Sequence, residues 1–339
     1  MNRRFGRMTL ALFITISLGL SGCTPVFQYH PDRISARSTE PAKMDEDVQK
    51  LNQPPVEPVI QRIGTDVYIG LTAQVTDVEI AKGVFYNAWT FNGTAPGPVL
   101  RVKEGDTIHF TLRNIDPYMP HSMDFHAVHA APSKKFIDVR PNETGRFTYK
   151  AMSPGVFMYH CGTAPVLLHI ANGMHGTIIV EPRDGYPSDA EVDRAYVVTQ
   201  NEWYAENDYQ DFEDGAARYV VFNGSAFALQ DQPLLAKVGD TVRLYVNNLG
   251  PNHVSSFHVV GTLFDQVYLD GNPRNPLYGM QTVLLPASGG AVVEFRVLEE
   301  GDYPMVTHQF NDASKGAVGI IRVTKDGLDH AGSPGIMNH

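Results

Sequence analysis

Two stretches of this 339-residue chain repeat one another. FNGTAPGPVLRVKEGDTIHFTLRNIDP at 91–117 is echoed by FNGSAFALQDQPLLAKVGDTVRLYVNNLGP at 222–251. The echo continues from MDFHAV (123–128) to SSFHVV (255–260), and from SPGVFMYH (153–160) to EEGDYPMVTH (299–308). Each copy reads strand, turn, strand, histidine, strand, glycine turn, histidine. A period of about 130 residues is too long for a solenoid unit, so it marks a duplicated domain. Within each copy, β-branched and aromatic runs such as GDTIHFTLRN and HGTIIVEP are separated by Gly, Pro, Asn and Asp clusters. No stretch of helical length carries a helical period. The expectation is an all-β chain of two tandem β-sandwiches, 61–188 and 189–325, joined near EPRDGYPSDAE (181–191).

The flanks read differently. Residues 1–22 place Arg3, Arg4 and Arg7 before an apolar run from Met8 to Leu20, the order of a signal peptide. The segment ends LSGC, which resembles the lipobox of bacterial lipoproteins. Cys23 is therefore expected to be acylated, leaving an exported protein, periplasmic or at the cell surface, anchored to a membrane by lipid. Residues 23–60 are proline-rich, charged and aperiodic, as a flexible spacer would be, and 326–339 reads as a tail. A formal charge of −10, more acidic still without the leader arginines, argues against nucleic acid as a partner.

The chain has two cysteines, and with Cys23 on lipid, Cys161 has no internal partner for a disulfide. A buried inert thiol, an intermolecular bridge or a metal ligand remain. Cys161 sits in MYHCGTAPVLLHIANGM (158–174), with His169 and Met174 around one short loop. Two imidazoles, a thiolate and a weak axial thioether are the requirements of type 1 copper. His121, from a neighbouring strand, completes the ordered set His121, Cys161, His169, Met174.

Side chains alternate along a strand. If Cys161 faces that ion, His160 faces away. His126 parts from His121 by the same odd-number rule and shares a face with Asp124. A second site containing His126, His160 and a carboxylate is thus expected behind the first, one peptide unit from it. The second copy has no cysteine, yet keeps His258 and His308 where the first has His126 and His160. These two are expected at a shared site on a domain interface.

The arrangement resembles the copper-containing, nitric-oxide-forming nitrite reductases over about residues 61–325. That resemblance implies two tandem cupredoxin-like Greek-key β-sandwich domains in a homotrimer, with a type 1 copper in each subunit and a type 2 copper between subunits. By matching motif, PHSMDFH assigns His121 to type 1, His126 to type 2 and Asp124 to the catalytic aspartate. YHC assigns His160 to type 2 and Cys161 to type 1, and HIANGM assigns His169 and Met174 to type 1. VTH makes His308 the type 2 ligand given to the adjoining subunit; SSFHVV makes His258 the catalytic histidine, with Val260 lining the pocket. The implied substrate is nitrite, and the implied electron donor is a small redox protein, a cupredoxin or c-type cytochrome.

The chain departs from many members in its short Cys–His loop, in Leu168 where tryptophan is common, and in Val260 where isoleucine is common. These bear on potential, donor docking and substrate geometry rather than on the ligands. Two rivals compete. A small laccase-like multicopper oxidase needs several His-x-His pairs, one bracketing the cysteine; this chain has none, and HAVH (126–129) spaces its histidines by three. A non-enzymatic cupredoxin electron carrier has no use for His258 and His308.

Overall fold

The computed structural model describes residues 51–204 and 208–329. The leader, Cys23, the spacer up to residue 50 and the tail from residue 330 lie outside the described residues. The described chain belongs to one compact unit beginning at Lys50.

The first half contains β1 (Val59–Ile63), β2 (Asp66–Ala81), β3 (Val84–Phe91), β4 (Leu100–Lys103), β5 (Thr107–Asn114), β6 (Asp124–Phe125), β7 (Thr144–Lys150), β8 (Gly155–His160) and β9 (His175–Glu181). Alternation makes these strands. LRVK of β4 reads buried, exposed, buried, exposed, and β5 buries Ile108, Phe110, Leu112 and Asn114 while its other face is wetter. One sheet runs β1-β2-β5-β7 with β3 on β2, and the other runs β4-β9-β8-β6.

The second half contains β10 (Arg194–Trp203), β11 (Tyr219–Phe222), β12 (Leu234–Lys237), β13 (Thr241–Asn248), β14 (Ser255–Val259), β15 (Phe264–Leu269), β16 (Pro276–Met280), β17 (Val283–Leu285), β18 (Gly290–Arg296), β19 (Gly301–Thr307) and β20 (Val318–Thr324). Its sheets run β11-β10-β13-β18-β15-β16 and β12-β20-β19-β14-β17. The halves repeat each other in register as well as in sequence. Parallel pairs β2–β5 and β4–β9 are matched by parallel pairs β10–β13 and β12–β20. Parallel neighbours cannot be joined by hairpins, so each half is a sandwich with crossover connections.

Side chains from the two halves share buried clusters. Ile80, Tyr86 and Ala88 meet Trp203, Val221 and Ala226, while Val156 and Ile179 meet Tyr245, Tyr268 and Val292. Trp203 has no exposed surface, and truncating a side chain so buried costs about 3–5 kcal/mol.

Two features differ from the sequence reading. Residues 51–58, inside the segment read as spacer, are hydrogen-bonded to the first sheet. Gln53 N donates to Val75 O (2.9 Å), Val56 N to Asn92 O (3.1 Å), and Gln74 Nε2 to Pro54 O (2.8 Å). Proline-rich composition hid this attachment, because backbone carbonyls do the accepting. The chain also contains short helices: α1 (Pro132–Lys135), α2 (Val166–Ala171), α3 (Tyr209–Asp214), α4 (Ala228–Asp231) and α5 (Phe310–Ala313). None exceeds six residues, too few to print a helical period on the sequence. No helix among the described residues is long and apolar enough to cross a membrane.

Candidate metal centres

Cys161 follows the last residue of β8, and its backbone N–H donates to Met174 O at 3.1 Å, continuing the pairing with β9. Between the two, α2 carries His169 over the thiol, and Met174 N returns a hydrogen bond to His169 O at 3.1 Å. His121 arrives from the other side, held by a two-way backbone bridge to Val139. Its Nδ1 lies 3.2 Å from His169 Nδ1. Cys161 Sγ stands 3.3 Å from His169 Nδ1 and 3.9 Å from His121 Nδ1, so three donor atoms converge. All three residues are fully buried, and Met174 is buried in the same apolar cluster as Cys161.

Neighbours set the charge and tautomer of these donors. Asp116 Oδ2 accepts from His121 Nε2 at 2.9 Å, so that when His121 is neutral its lone pair is on Nδ1, toward Cys161, and when it is protonated Nδ1 donates to the thiol. Ser122 N donates to Cys161 Sγ at 3.3 Å. Burial opposes charge on the thiol, but the hydrogen bonds and charges of His121 and His169 outweigh it and hold its pKa well below the ordinary value. A thiolate is the form that ligates metal. Half-buried Trp89 of β3 lies against both imidazoles, its ring centroid 4.8 Å from His169 and 5.8 Å from His121. Leu168, the residue before His169, packs against the core of the second half.

A second donor group lies behind the first. β6 pairs with β8 so that Asp124 faces His160 and Phe125 faces Tyr159 across the ladder, and His126 N donates to Met158 O at 3.1 Å. His126 Nε2 and His160 Nε2 approach to 3.1 Å, and Asp124 Oδ2 lies 3.9 Å from His160 Nε2. His160 Nδ1 donates to Cys161 O at 2.8 Å, which leaves Nε2 as the free lone pair. Burial, then the neighbouring charge of His160, lowers the pKa of His126 and favours the neutral imidazole a metal needs. Asp124, His126 and His160 form one potential ligand group and His121, Cys161 and His169 another. The separation of His121 from His126 does not come from one continuous strand. β6 is only two residues long, and the loop before it turns His121 inward toward Val139.

His258 and His308 meet each other, with ring centroids 5.2 Å apart, and among the described residues they do not join either donor group. His258 Nδ1 donates to Gln281 O, which leaves the lone pair on Nε2. His308 is exposed, and Phe310 crosses its ring edge-on at 5.0 Å. Phe310, against His308, is 66% exposed; Leu284, paired with Ser256 on the neighbouring strand, and Val260, two residues after His258, are also exposed, at 62% and 42%.

Sequence reasoning missed Asp116, Ser122, Trp89 and Gln281. Ser122 follows His121 in the motif itself and Asp116 lies five residues before His121, but nothing in their spacing shows a hydrogen bond. Trp89 and Gln281 are remote in the chain and left no local signal.

A family model described as multicopper oxidase matches residues 72–185. The copper-containing nitrite reductase of Neisseria meningitidis serogroup A is 39% identical over 292 residues, covering 82% of this chain and 75% of that protein. The chain belongs to the copper-containing nitrite reductase family. The solved copper nitrite reductase of Nitrosomonas europaea superposes with a TM-score of 0.74 at 41% identity, covering 79% of this chain and 98% of that one. The Cu-containing nitrite reductase of Thermus scotoductus SA-01 gives the same TM-score and identity over 80% of this chain and 66% of that one. The all-β, two-sandwich fold is the cupredoxin-like fold of these relatives. The donor chemistry fits copper. His121, Cys161 and His169 offer two imidazoles and a depressed thiol in a dry pocket beside a buried methionine, the set a type 1 centre requires.

Proposed function

We propose that the protein reduces nitrite to nitric oxide, consuming one electron and two protons and releasing water. His121, Cys161, His169 and Met174 would hold a type 1 copper. His126 and His160 would hold a type 2 copper together with His308 of the partner subunit. Bound copper supplies one-electron transfer at the first site and, at the second, electron transfer with Lewis-acid activation of nitrite. The observation carrying this reading is that the two donor groups are joined by the single peptide between His160 and Cys161. A carrier with one metal has no use for the second group.

The chain's own residues handle the protons. Asp124 lies at the rim of the His126–His160 pair, half exposed, where its carboxyl can hold a proton for the departing oxygen and refill from water. His258, fixed through Nδ1, presents Nε2 as the second proton carrier. Val260, two residues on, would line the pocket. A homotrimer is supported by two features. Among the described residues each chain gives the second group two imidazoles and a carboxylate, and its own His258–His308 pair lies beside the exposed Phe310. Electrons would come from a small cupredoxin or c-type cytochrome. We further propose that the protein is exported and held at a membrane surface, periplasmic or at the cell surface, by lipid on Cys23. Anaerobic nitrite assay of the copper-loaded protein tests the reading: nitric oxide formation supports it, and copper-replete protein that leaves nitrite untouched refutes it.

A further inference from the structure

His308 is exposed, and among the described residues its imidazole lies against the rings of His258 and Phe310, so the backbone that carries it helps to set its direction. The backbone around it is held by three polar side chains. Gln309 Oε1 accepts from Ser256 N (2.9 Å) and from Thr307 Oγ1 (2.7 Å), while Gln309 Nε2 donates to Ser256 Oγ (3.0 Å). Thr307 Oγ1 also accepts from Ser256 N (3.2 Å), and His308 N donates to Ser256 O (2.8 Å). The turn that follows is pinned separately, with His253 Nδ1 donating to Asp312 Oδ2 at 2.9 Å and His253 Nε2 to Gly215 O at 2.8 Å.

The duplication explains where this brace stands. Ser256 pairs with His308 as Asp124 pairs with His160. Gln309 follows His308 as Cys161 follows His160, and His253 precedes His258 by the five residues that separate His121 from His126. The brace therefore occupies, in the second half, the position of the Cys161–His121 donor group in the first.

We propose that Gln309, clamped by Ser256 and Thr307, is a positioning residue for the type 2 centre, fixing by hydrogen bonds the strand end that presents His308. In the first half, His121, Cys161 and His169 would tie the equivalent strand end to its neighbour by holding a metal. In the second half the amide of Gln309 makes that tie without one. The inference rests on His308 being a ligand to the copper shared with the next subunit.

The test compares copper-loaded Gln309→Leu, Thr307→Val, Thr307→Ser and His308→Ala with the parent protein. Second-site copper retention is read by dialysis against a graded chelator, and the type 2 signal by electron paramagnetic resonance. Type 1 absorption and native mass confirm that each variant is folded and assembled. Gln309→Leu and Thr307→Val are expected to lose about 10–100-fold in type 2 copper affinity, the usual effect of removing a partner behind a ligand, and to show an altered type 2 signal. Thr307→Ser, which keeps the hydroxyl, is expected to behave like the parent. If His308→Ala loses the second copper while Gln309→Leu and Thr307→Val keep parental affinity and signal, the clamp is refuted and the ligand assignment stands. If His308→Ala itself keeps the second copper, the ligand assignment falls and the clamp falls with it.

Discussion

His160 and Cys161 are neighbours in the chain and fall in different donor groups. Strand alternation made that separation legible from the sequence, because β8 runs to His160 and Cys161 continues its pairing with β9. The same rule parts His121 from His126, and the structure also puts them in different donor groups, but there a loop rather than a strand turns His121. What the sequence could not show were contacts that depend on rotamers and loops, such as Asp116 on His121 or Trp89 over His169. If Asp124 and His258 carry the protons, Asp124→Asn and His258→Ala should each cut nitrite turnover by about 10²–10⁴-fold while type 1 absorption stays intact. Steady-state rates with a visible spectrum decide this, and parental turnover in either variant removes that residue from the role. His253 gives a pH-dependent expectation of a different kind. Its hydrogen bond to Asp312 outweighs desolvation and raises its pKa from 6.5 to about 9. The folded state therefore binds the proton more tightly, so the stabilisation is fully present below about pH 6.5 and is lost as pH rises through about 9. Melting of the parent should fall over that window by more than melting of His253→Gln, a difference on the order of 2 kcal/mol.

Among the elements, the strands were readable and the helices were not. Buried-exposed alternation in β4 and β5 and the echo between halves reported the sheets directly. The six residues of α2 gave no period, although that helix carries His169. Its position depends on side chains from elsewhere in the chain. Tyr86 Oη donates to Asn172 Oδ1 at 2.7 Å, Asn172 Nδ2 donates to Leu168 O at 2.8 Å, and Trp89 N donates to Asn172 O at 2.9 Å. Asn172 is buried, so Asn172→Ala should cost about 1–3 kcal/mol and speed the loss of type 1 copper to a chelator. Unchanged melting and unchanged copper release would show that α2 is held by packing alone. The echo of His121 in His253 was also present in the sequence. It becomes visible only when the repeats are aligned on His126 and His258, and the substitution of Asp312 and Gln309 for a metal site needed the fold.

For the whole molecule, duplication leaves one half with a thiolate donor group and the other with a histidine pair on an apolar surface. The His258–His308 pair has no metal partner among the described residues of its own chain, so assembly is the step that would complete the second site. Copper analysis should give two ions per chain in the assembled protein, and native mass should report a trimer. One ion per chain in a stable trimer would instead match an electron carrier. Cys23→Ser should move the protein from the membrane fraction to the soluble fraction without altering either copper site. The most direct test of the central claim is anaerobic rapid mixing of fully reduced, copper-loaded protein with nitrite, following the Cys161–copper absorption and nitric oxide together. The absorption is expected to return as nitric oxide forms, and both are expected to be abolished in His126→Ala, which keeps the first site whole. Return of the absorption with nitric oxide formation in His126→Ala would contradict the claim, because nitrite would then be reduced without the second site.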